Sequence, residues 1–424
     1  MSDCPVISQE TTIAPVNQIS RKWAATCFAL VSLTLVLASC YLPRPPVEVS
    51  VVGDRALTYP QEAQLEVVVS RVADDQTIWI TWSAADANSG TSIVSPDSFT
   101  TRVKFPGPGT YEITVEVEVD GEPHTAIHTV EVLEAGKHQV IGLNHTSYIA
   151  TGFHEETGDP YPVPSTDPAG LVHFPPTGNF LIADSEINEI PSVMEVVGRN
   201  LFEVDLAANR VEHSWYLGPE DEDDYPNLEP TGIAYFPLDE HIYVTNDDLD
   251  HVARYEWSEG NLEVVDYVST RPHSGDPEGI TCDPDTGYLY VIAGSGARIL
   301  VYVYRDAFIL KDVLELPLLV TDPAGVPSDP EGIAFDPISR HLFVISDPDA
   351  AIFEYTVTGD FIRRFDVLRG LTPKAVGAQG LAFGPSTQDP GALSLYLADG
   401  GYDTDSVPDA RDGFIFEFAV ERSE

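Results

Sequence analysis

One short phrase recurs five times in the second part of the chain, and it constrains the fold more than any other feature of the sequence. Each copy begins with an acidic residue or Gly, continues with Pro or Ala, a variable residue and Gly, and then enters a strand-like stretch. The copies lie about 50 residues apart, a period typical of repeat proteins. They are Asp167–Val172, Glu229–Ala234, Asp276–Thr281, Asp329–Ala334 and Gly377–Ala382.

Each copy is followed by two more strand-like stretches, so the repeat is a unit of at least three strands. The second stretches are Asn179–Asp184, His241–Asn246, Tyr288–Ala293, His341–Asp347 and Leu395–Asp399. The third stretches are Asn200–Val204, Val252–Glu256, Ile299–Tyr302, Ala351–Tyr355 and Phe414–Phe418. The second to fourth repeats continue into a fourth, more polar stretch, such as Phe361–Phe365.

Short strands that recur at this period without helical periodicity predict a β-propeller, in which each repeat is one blade. Five blades are favoured, and six are possible if residues 144–166 or the long insert of the first repeat contain a degenerate unit. The last repeat ends after its third strand. We expect Lys137–Leu143 to supply the missing outer strand, which removes an open sheet edge.

The recurring phrase also predicts what lies at the propeller axis. Pro presets the backbone that enters the innermost strand, and Gly lets that strand pack where all blades crowd together. The residue between them begins the strand and is expected to face the mouth of the channel, so two carboxylates are expected to meet there. The residues at this position are Ala169, Thr231, Glu278, Glu331 and Gln379.

Residues 47–135 have a different pattern from the repeats. Apolar and polar residues alternate with period two in Leu65–Val69, Ile78–Trp82 and Tyr111–Val119, and Gly and Pro separate these stretches. This pattern predicts an antiparallel β-sandwich. The sequence therefore predicts an all-β protein, with a sandwich at 47–135 followed by a propeller at 137–424.

The N-terminal residues carry the features of a secretory signal. Phe28–Ala38 is an apolar run preceded by Arg21 and Lys22, as in a signal peptide. The run is too short to cross a bilayer, which takes roughly 20 apolar residues. A short transmembrane anchor is the alternative interpretation.

Leu37–Cys40 follows this run and resembles the lipobox of bacterial lipoproteins. The resemblance implies that residues 1–39 are a signal peptide and that Cys40 is acylated. The chain would then be extracytoplasmic and anchored by lipid to the cell membrane or the outer membrane. Residues 40–46 contain three prolines and would form a stiff tether.

The charge of the chain excludes one class of partner. Asp and Glu total 68 and Lys and Arg total 22, which gives a formal net charge of -46. Such a field repels phosphate backbones, so we expect no binding to nucleic acid. Cations are the natural counterparts of this surface. Acid-rich, lysine-poor surfaces are also similar to those of proteins from salty habitats, and both explanations can hold.

The cysteines indicate that the fold is stabilised without disulfides. Cys4 and Cys27 lie in the predicted signal peptide and Cys40 at the predicted acylation site, which leaves Cys282 alone. Cys282 lies in an apolar stretch, so we interpret it as a buried small hydrophobic residue rather than a reactive thiol.

Several stretches resemble known modules. Pro106–Val115 resembles the closing hairpin of polycystic-kidney-disease-type and other immunoglobulin-like domains, with Ile80–Ser83 as the central tryptophan strand. Residues 138–424 resemble NHL-type propellers and the related SdiA-regulated, esterase-like phytase and gluconolactonase-type groups. Asp184–Glu189 and Asp409–Phe418 are similar to repeats of secreted, calcium-associated bacterial propellers.

The resemblance to gluconolactonase-type propellers implies a divalent cation at the mouth of the channel, held by a Glu of an innermost strand with Asn and Asp from other blades. An all-oxygen set suits calcium or magnesium better than zinc. An Asp that follows a strand also caps turns, which is the alternative role for the three aspartates. The candidate ligands are Glu278, Glu331, Asn246, Asp184, Asp347 and Asp399.

The sequence contains no nucleophile elbow, zinc-protease helix or phosphate-cradling Gly loop. We therefore expect a non-catalytic surface protein whose axial face binds a protein, polysaccharide or small molecule through cation-bridged contacts. The alternative is a metal-dependent esterase, lactonase or phosphatase. A third possibility is that calcium only stiffens the blades.

Overall fold

The computed structural model describes residues 46–72, 76–85, 90–134, 136, 138–154, 156–186, 198–217, 229–258, 261–304, 307–320, 322–402 and 412–423. The predicted signal peptide, the acylation site at Cys40 and most of the tether lie outside these residues, as do parts of Asp184–Glu189 and Asp409–Phe418. Among the helices of the described residues, none has the length and hydropathy needed to span a bilayer.

Residues 48–133 form two four-stranded sheets. Their strands are β1 (Glu48–Gly53), β2 (Ala56–Thr58), β3 (Ala63–Ser70), β4 (Ile78–Ala84), β5 (Ser92–Ile93), β6 (Thr100–Lys104), β7 (Gly109–Val119) and β8 (Glu122–Leu133). One sheet has the order β1-β3-β6-β5 and the other β2-β8-β7-β4. The long β7 and β8 pair antiparallel, and the short β2 runs parallel to β8.

Strands β3, β4 and β7 confirm the three stretches predicted from the alternating pattern. In β7, Ile113, Val115 and Val117 are buried while the residues between them are polar, because successive side chains point to opposite faces of a strand. Trp82 is buried in β4, and its Nε1 donates a hydrogen bond to the carbonyl of Ser98 at 2.7 Å.

Residues 140–422 form five four-stranded antiparallel sheets, each with one copy of the recurring phrase at the start of its first strand. The first strands are β10 (Pro168–Phe174), β14 (Pro230–Phe236), β18 (Pro277–Asp283), β22 (Pro330–Asp336) and β26 (Ala378–Pro385). The second strands are β11 (Asn179–Asp184), β15 (His241–Asn246), β19 (Tyr288–Ala293), β23 (His341–Ser346) and β27 (Leu393–Asp399).

The third and fourth strands complete each sheet. The third strands are β12 (Leu201–Asp205), β16 (His251–Ser258), β20 (Arg298–Tyr304), β24 (Ala351–Thr356) and β28 (Asp412–Arg422). The fourth strands are β13 (Arg210–Trp215), β17 (Asn261–Ser269), β21 (Phe308–Glu315), β25 (Phe361–Phe365) and β9 (Val140–Gly152). Within the described ranges, the helical segments are α1 (Leu316–Leu319) and two 3-10 turns, Pro323–Gly325 and Leu368–Gly370. The first sheet has a fourth strand that the sequence pattern did not reveal.

The first strands of the five sheets contact one another in the cyclic order β10, β14, β18, β22, β26 and back to β10. Their glycines make this approach possible. A Cβ built on Gly232 would lie 2.7 Å from the Cα of Gly279, and one built on Gly279 would lie 2.7 Å from the Cα of Gly332. The predicted role of Gly is thus confirmed, and the sheets surround one axis as in a β-propeller.

The last sheet is closed by a strand from the beginning of this region. Strand β9 pairs antiparallel with β28, from Val140 beside Arg422 to Gly152 beside Asp412. The predicted closure is confirmed, and the closing strand extends nine residues beyond Leu143 to Gly152. Arg422 also donates to Asp336 of β22 at 2.6 and 3.0 Å, which adds an ion pair to the closure.

The core lies between neighbouring sheets. One cluster of buried side chains combines Tyr290 and Ile292 of β19 with Val344 of β23 and Phe353 of β24, all of them fully buried. Burial of side chains of this size contributes roughly 1.5–3 kcal/mol each. Cys282 of β18 is a free cysteine that is partly buried, and its thiol donates to the carbonyl of Tyr235 at 3.0 Å.

Candidate cation site at the axial mouth

The first strands all begin at the same end of the ring, because their recurring phrases pack side by side. We call this end, together with the loops beside it, the axial mouth. Two positions of the phrase carry acids here: the residue before Pro and the residue after it. The acids are Asp167, Glu229, Asp276, Glu278, Asp329 and Glu331.

Three carboxylates of the axial mouth form a tight group. Asp276 immediately precedes β18, Glu278 is the second residue of β18, and Asp247 follows the last residue of β15 in the neighbouring sheet. One oxygen from each of them lies within 4.8 Å of the other two. Oxygens at this spacing can reach one cation, since calcium lies 2.3–2.6 Å from its ligands. We call these three residues the triad.

Glu331 of β22 lies beside the triad and is electrostatically coupled to it. Burial raises the pKa of Glu278 well above its usual range, and the charges of Glu331 and Asp247 raise it further. Burial likewise raises the pKa of Glu331 to about 8, with further contributions from Asp329 and Asp276. The strongest neighbouring charges on both residues are carboxylates.

The charge of Asp276 contributes to a raised pKa of both Asp247 and Asp329. Burial raises the pKa of Asp247 to about 6, and the carboxylate of Asp276 is the next cause. Burial also raises the pKa of Asp329, followed by the charge of Asp276. The charge of Asp276 therefore contributes to the raised pKa of each of these acids. A bound cation would replace the protons that the crowded carboxylates otherwise retain.

A glycine at the end of β19 makes room for the group. Where other repeats carry Asp, Asn or Ser near the end of the second strand, the third repeat has Ala293 followed by Gly294. A Cβ on Gly294 would lie 2.8 Å from Oδ2 of Asp276 and 3.2 Å from Oδ1 of Asp329. The absence of a side chain here thus leaves space for both carboxylates.

The structure brings together only some of the candidate ligands. Glu278 and Glu331 lie close enough for their charges to interact. Asp347 is close to Glu331, and its Oδ1 accepts a hydrogen bond from the backbone N–H of Ala378 at 3.1 Å. Asn246 is buried, and its Oδ1 accepts from the N–H of Leu249 at 2.9 Å.

Asp184 and Asp399 make the contacts of turn caps. Oδ2 of Asp184 accepts from the hydroxyl of Ser165 and from the N–H of Thr166, both at 2.7 Å. Oδ1 of Asp399 accepts from the N–H of Gly377 at 2.7 Å and from a second N–H at 3.1 Å. These contacts fit the capping alternative, since Asp commonly binds backbone N–H groups after a strand.

The two uncharged candidates of the mouth make different contacts. Thr231 donates its hydroxyl to the carbonyl of Pro277 at 3.0 Å, which ties β14 to β18. The side-chain oxygen of Gln379 is buried and accepts no hydrogen bond within the described part of the chain. Thr231 therefore has a structural contact, whereas Gln379 retains an acceptor for a ligand.

Asp247, Asp276 and Asp329 are site residues that the sequence analysis did not select. An acid precedes Pro in four of the five phrases, but only the residue after Pro was predicted to face the mouth of the channel. Asp247 lies one residue beyond the predicted second strand, and its direction depends on the turn that follows. Recurrence of an acid before Pro was the available signal for Asp276 and Asp329.

The pH dependence of stability tests this electrostatic description. Without divalent ions, we expect stability to fall as pH rises from about 5 to about 8. The pKa of Asp247 is raised to about 6 and that of Glu331 to about 8. The folded chain thus holds protons that the unfolded chain has already released, and ionisation in the fold costs stability.

Thermal unfolding in a chelator, measured across this pH range, checks the expectation. The same measurement on Glu331→Gln provides the control, because this variant lacks the group that titrates highest and should show a shallower fall. A melting temperature that rises with pH, or a fall that is equally steep in Glu331→Gln, contradicts the description.

Comparisons with known proteins give distant similarities. No family model matches the chain, and no curated protein matches it. The luciferin-regenerating enzyme is 12% identical, over 73% of this chain and 87% of that chain, with a TM-score of 0.37. An auxiliary nutrient binding protein from Bacteroides ovatus is 11% identical, over 91% of this chain and 100% of that chain, with a TM-score of 0.37.

A third solved structure, the PQQ-bound aldose sugar dehydrogenase from Streptomyces coelicolor, is 15% identical. The match covers 68% of this chain and 98% of that chain, with a TM-score of 0.38. At these values the similarities assign no function.

Proposed function

We propose that this protein is a cation-dependent binding protein whose axial mouth holds a calcium ion and presents it to a ligand. One observation carries the proposal: oxygens of Asp247, Asp276 and Glu278 lie within 4.8 Å of one another. The raised pKa values of Glu278 and Glu331 support it, because they reflect buried acids whose strongest charged neighbours are also acids.

The chemistry of the triad favours calcium over other divalent ions. All three side chains offer oxygen, and zinc prefers nitrogen and sulfur ligands. Magnesium requires near-ideal octahedral geometry at about 2.0–2.1 Å, whereas calcium tolerates irregular sets of six to eight oxygens. The carboxylates come from a strand, the segment before it and a loop of the neighbouring sheet. Water or a ligand would complete the shell.

We further propose how the chain is anchored to the membrane and which domains it contains. Residues 1–39 are a signal peptide, Cys40 carries lipid, and residues 47–135 form an immunoglobulin-like sandwich that holds a five-bladed propeller away from the membrane. The leader pattern at Phe28–Cys40 supports the anchor, and the five strands in cyclic contact support the blade number. The ligand would be a protein, a polysaccharide or a small molecule.

One observation favours a second function, that of a metal-dependent esterase, lactonase or phosphatase. With a pKa of about 8, the carboxyl of Glu331 can hold or release a proton near neutral pH beside the triad. Groups of this kind serve as general acids or bases. A bound cation would supply polarisation of a carbonyl or phosphoryl oxygen.

A substrate panel separates the two functions. With calcium present, we expect the full chain to leave fluorogenic esters, lactones and phosphate esters unchanged, because the proposed role of the triad is to hold the ion and present it to a ligand. Release of the fluorophore is measured with and without a chelator. Turnover that disappears with the chelator, and also in Glu278→Gln and Glu331→Gln, would establish the hydrolase and overturn the binding function.

A further inference from the structure

A cavity of about 310 Å³ lies at the axial mouth, among residues of the fourth, last and first sheets. Its polar lining consists mainly of side-chain acceptors, and glycines form part of its floor. It shares Glu331 with the surroundings of the triad and is otherwise separate from it. The polar side chains that line it are Asp167, Glu331, Asp347, Gln379 and Tyr402.

Asp167 carries an acceptor that lacks a partner. The residue is 5% exposed, and its Oδ2 accepts a hydrogen bond from the hydroxyl of Ser185 at 3.0 Å. Its Oδ1 is buried and has no hydrogen-bond partner within the described residues, and the same holds for Oε1 of Gln379. Buried acceptors are almost always paired in folded proteins, so two of them in one cavity indicate a ligand.

Both acceptors face the same space. A Cβ on Gly400 would collide with Oδ1 of Asp167 and would lie 3.2 Å from Oε1 of Gln379. These oxygens therefore lie close together above the backbone of Gly400, at the wall of the cavity. The glycine leaves them accessible to each other and to a small ligand.

The cavity wall has few free donors. The N–H of Gly377 donates to Asp399 at 2.7 Å, and the N–H of Gly400 donates to the carbonyl of Gly377 at 2.7 Å. The N–H of Gly401 also donates to Asp399, at 3.2 Å. These backbone donors are occupied, and the acidic side chains around the space offer mainly oxygen acceptors, so the cavity suits a ligand that brings N–H donors and positive charge.

The acids of the cavity do not have the spacing that a bare metal ion requires. Within the described residues, the triad is the one acidic group whose oxygens converge to ligand spacing, and Asp167, Glu331 and Asp347 do not join it. The acids of the cavity are spread around a volume suited to a small organic molecule. Tyr402 lies half-exposed at its edge, where an aromatic ring can attract a cation.

We propose that this cavity binds a small organic amine through one or more primary ammonium groups, which donate to Asp167, Gln379 and the neighbouring carboxylates. The inference deepens the proposed function by naming the chemical class of its ligand. The amine site depends on the proposed function only because both take the axial mouth to be the binding face.

Isothermal titration of the full chain with 1,4-diaminobutane tests the proposal, with 1,4-butanediol as the uncharged probe of matched length. We expect heat of binding for the diamine and none for the diol. Asp167→Asn should weaken diamine binding by at least about tenfold, because it removes the charge that pairs with the ammonium group. Asp389→Asn is the matched control, since it makes the same change in an exposed loop at the opposite end of β26, and it should bind as the parent does.

Gln379→Met provides a second variant in case Asp167→Asn does not fold, and it should also weaken the diamine. Equal binding of the diol, or unchanged diamine binding in both cavity variants, overturns the proposal. So does an equal loss in Asp389→Asn, which would show unspecific attraction to a negative surface.

A parallel titration with calcium separates this inference from the proposed function. Calcium binding without diamine binding overturns the amine site alone. Diamine binding without calcium binding overturns the ion site and leaves the amine site standing. Asp276→Asn should lose calcium and keep the diamine, because Asp276 does not line the cavity.

Discussion

Gly279→Ala is expected to lower the free energy of unfolding by more than about 3 kcal/mol or to prevent folding. The added Cβ would lie 2.7 Å from the Cα of Gly332 and 2.7 Å from the N of Ile333, which are backbone atoms of the next sheet. Backbone in a closed ring cannot move aside as a flexible side chain can, so the strain would spread to neighbouring blades.

Urea unfolding followed by circular dichroism measures this effect. Gly370→Ala is the control, since Gly370 is exposed in the 3-10 turn after β25 and a Cβ there meets no atom within 4 Å. Its stability should stay within about 0.5 kcal/mol of the parent protein. Equal stability of the two variants would show that the recurring glycines do not pack around a common axis.

Asp276→Asn and Glu278→Gln are each expected to weaken calcium binding by at least about 100-fold, or about 2.7 kcal/mol, because each removes a charged ligand from the triad. The same variants should stabilise the protein without calcium. Asp276 raises the pKa of Asp247, Glu278, Glu331 and Asp329, so removal of its charge relieves the others. The variants are thus expected to lose calcium affinity and to gain stability in the absence of calcium. A merely structural role of Asp276 and Glu278 would not produce both changes together.

Thermal unfolding at about pH 8, with calcium and with a chelator, measures both effects in one experiment. Glu256→Gln is the control, because Glu256 is an exposed acid of β16 and loses the same charge as Glu278→Gln. The control should keep the full calcium-induced rise in melting temperature. A triad variant that retains this rise, or a parent protein that shows none, argues against the site.

The fold followed from the sequence because its decisive features are local. The phrase is Pro-x-Gly in four copies and Ala-x-Gly in the fifth, and it sets a backbone direction and a close approach within four residues. Its recurrence could be recognised without knowledge of long-range contacts. The closing strand was also predictable, since the last repeat lacked an outer strand and Lys137–Leu143 had strand character. The full length of the closing strand, to Gly152, was not predictable from the sequence, because pairing with the long β28 extends it.

The site followed from the sequence only in part. Glu278 and Glu331 were selected because the position after Pro faces the axis in every blade. Asp276 was missed because its role depends on Gly294, whose lack of a side chain admits the carboxylate from another part of the sheet. Asp247 was missed because its turn directs it toward β18 of the neighbouring sheet. Such convergence across sheets is a property of the assembled ring, and the acid before Pro is the one part of it that recurs in the sequence.

The contrast between Glu278 and Asp184 shows why residue type alone was insufficient. Both are acids near the axial end of a strand. Asp184 is held by the hydroxyl of Ser165 and the N–H of Thr166, so one of its oxygens already serves the backbone turn. Glu278 instead lies among carboxylates. Hydrogen bonding by neighbours, which the sequence does not display, separates a turn cap from a ligand.

Diffraction from crystals grown with manganese in place of calcium, recorded for the anomalous signal of the ion, tests the central claim most directly. The account predicts an anomalous peak at coordination distance from the carboxylates of Asp247, Asp276 and Glu278. A peak at other residues only, or none at a manganese concentration that saturates binding in solution, would contradict it.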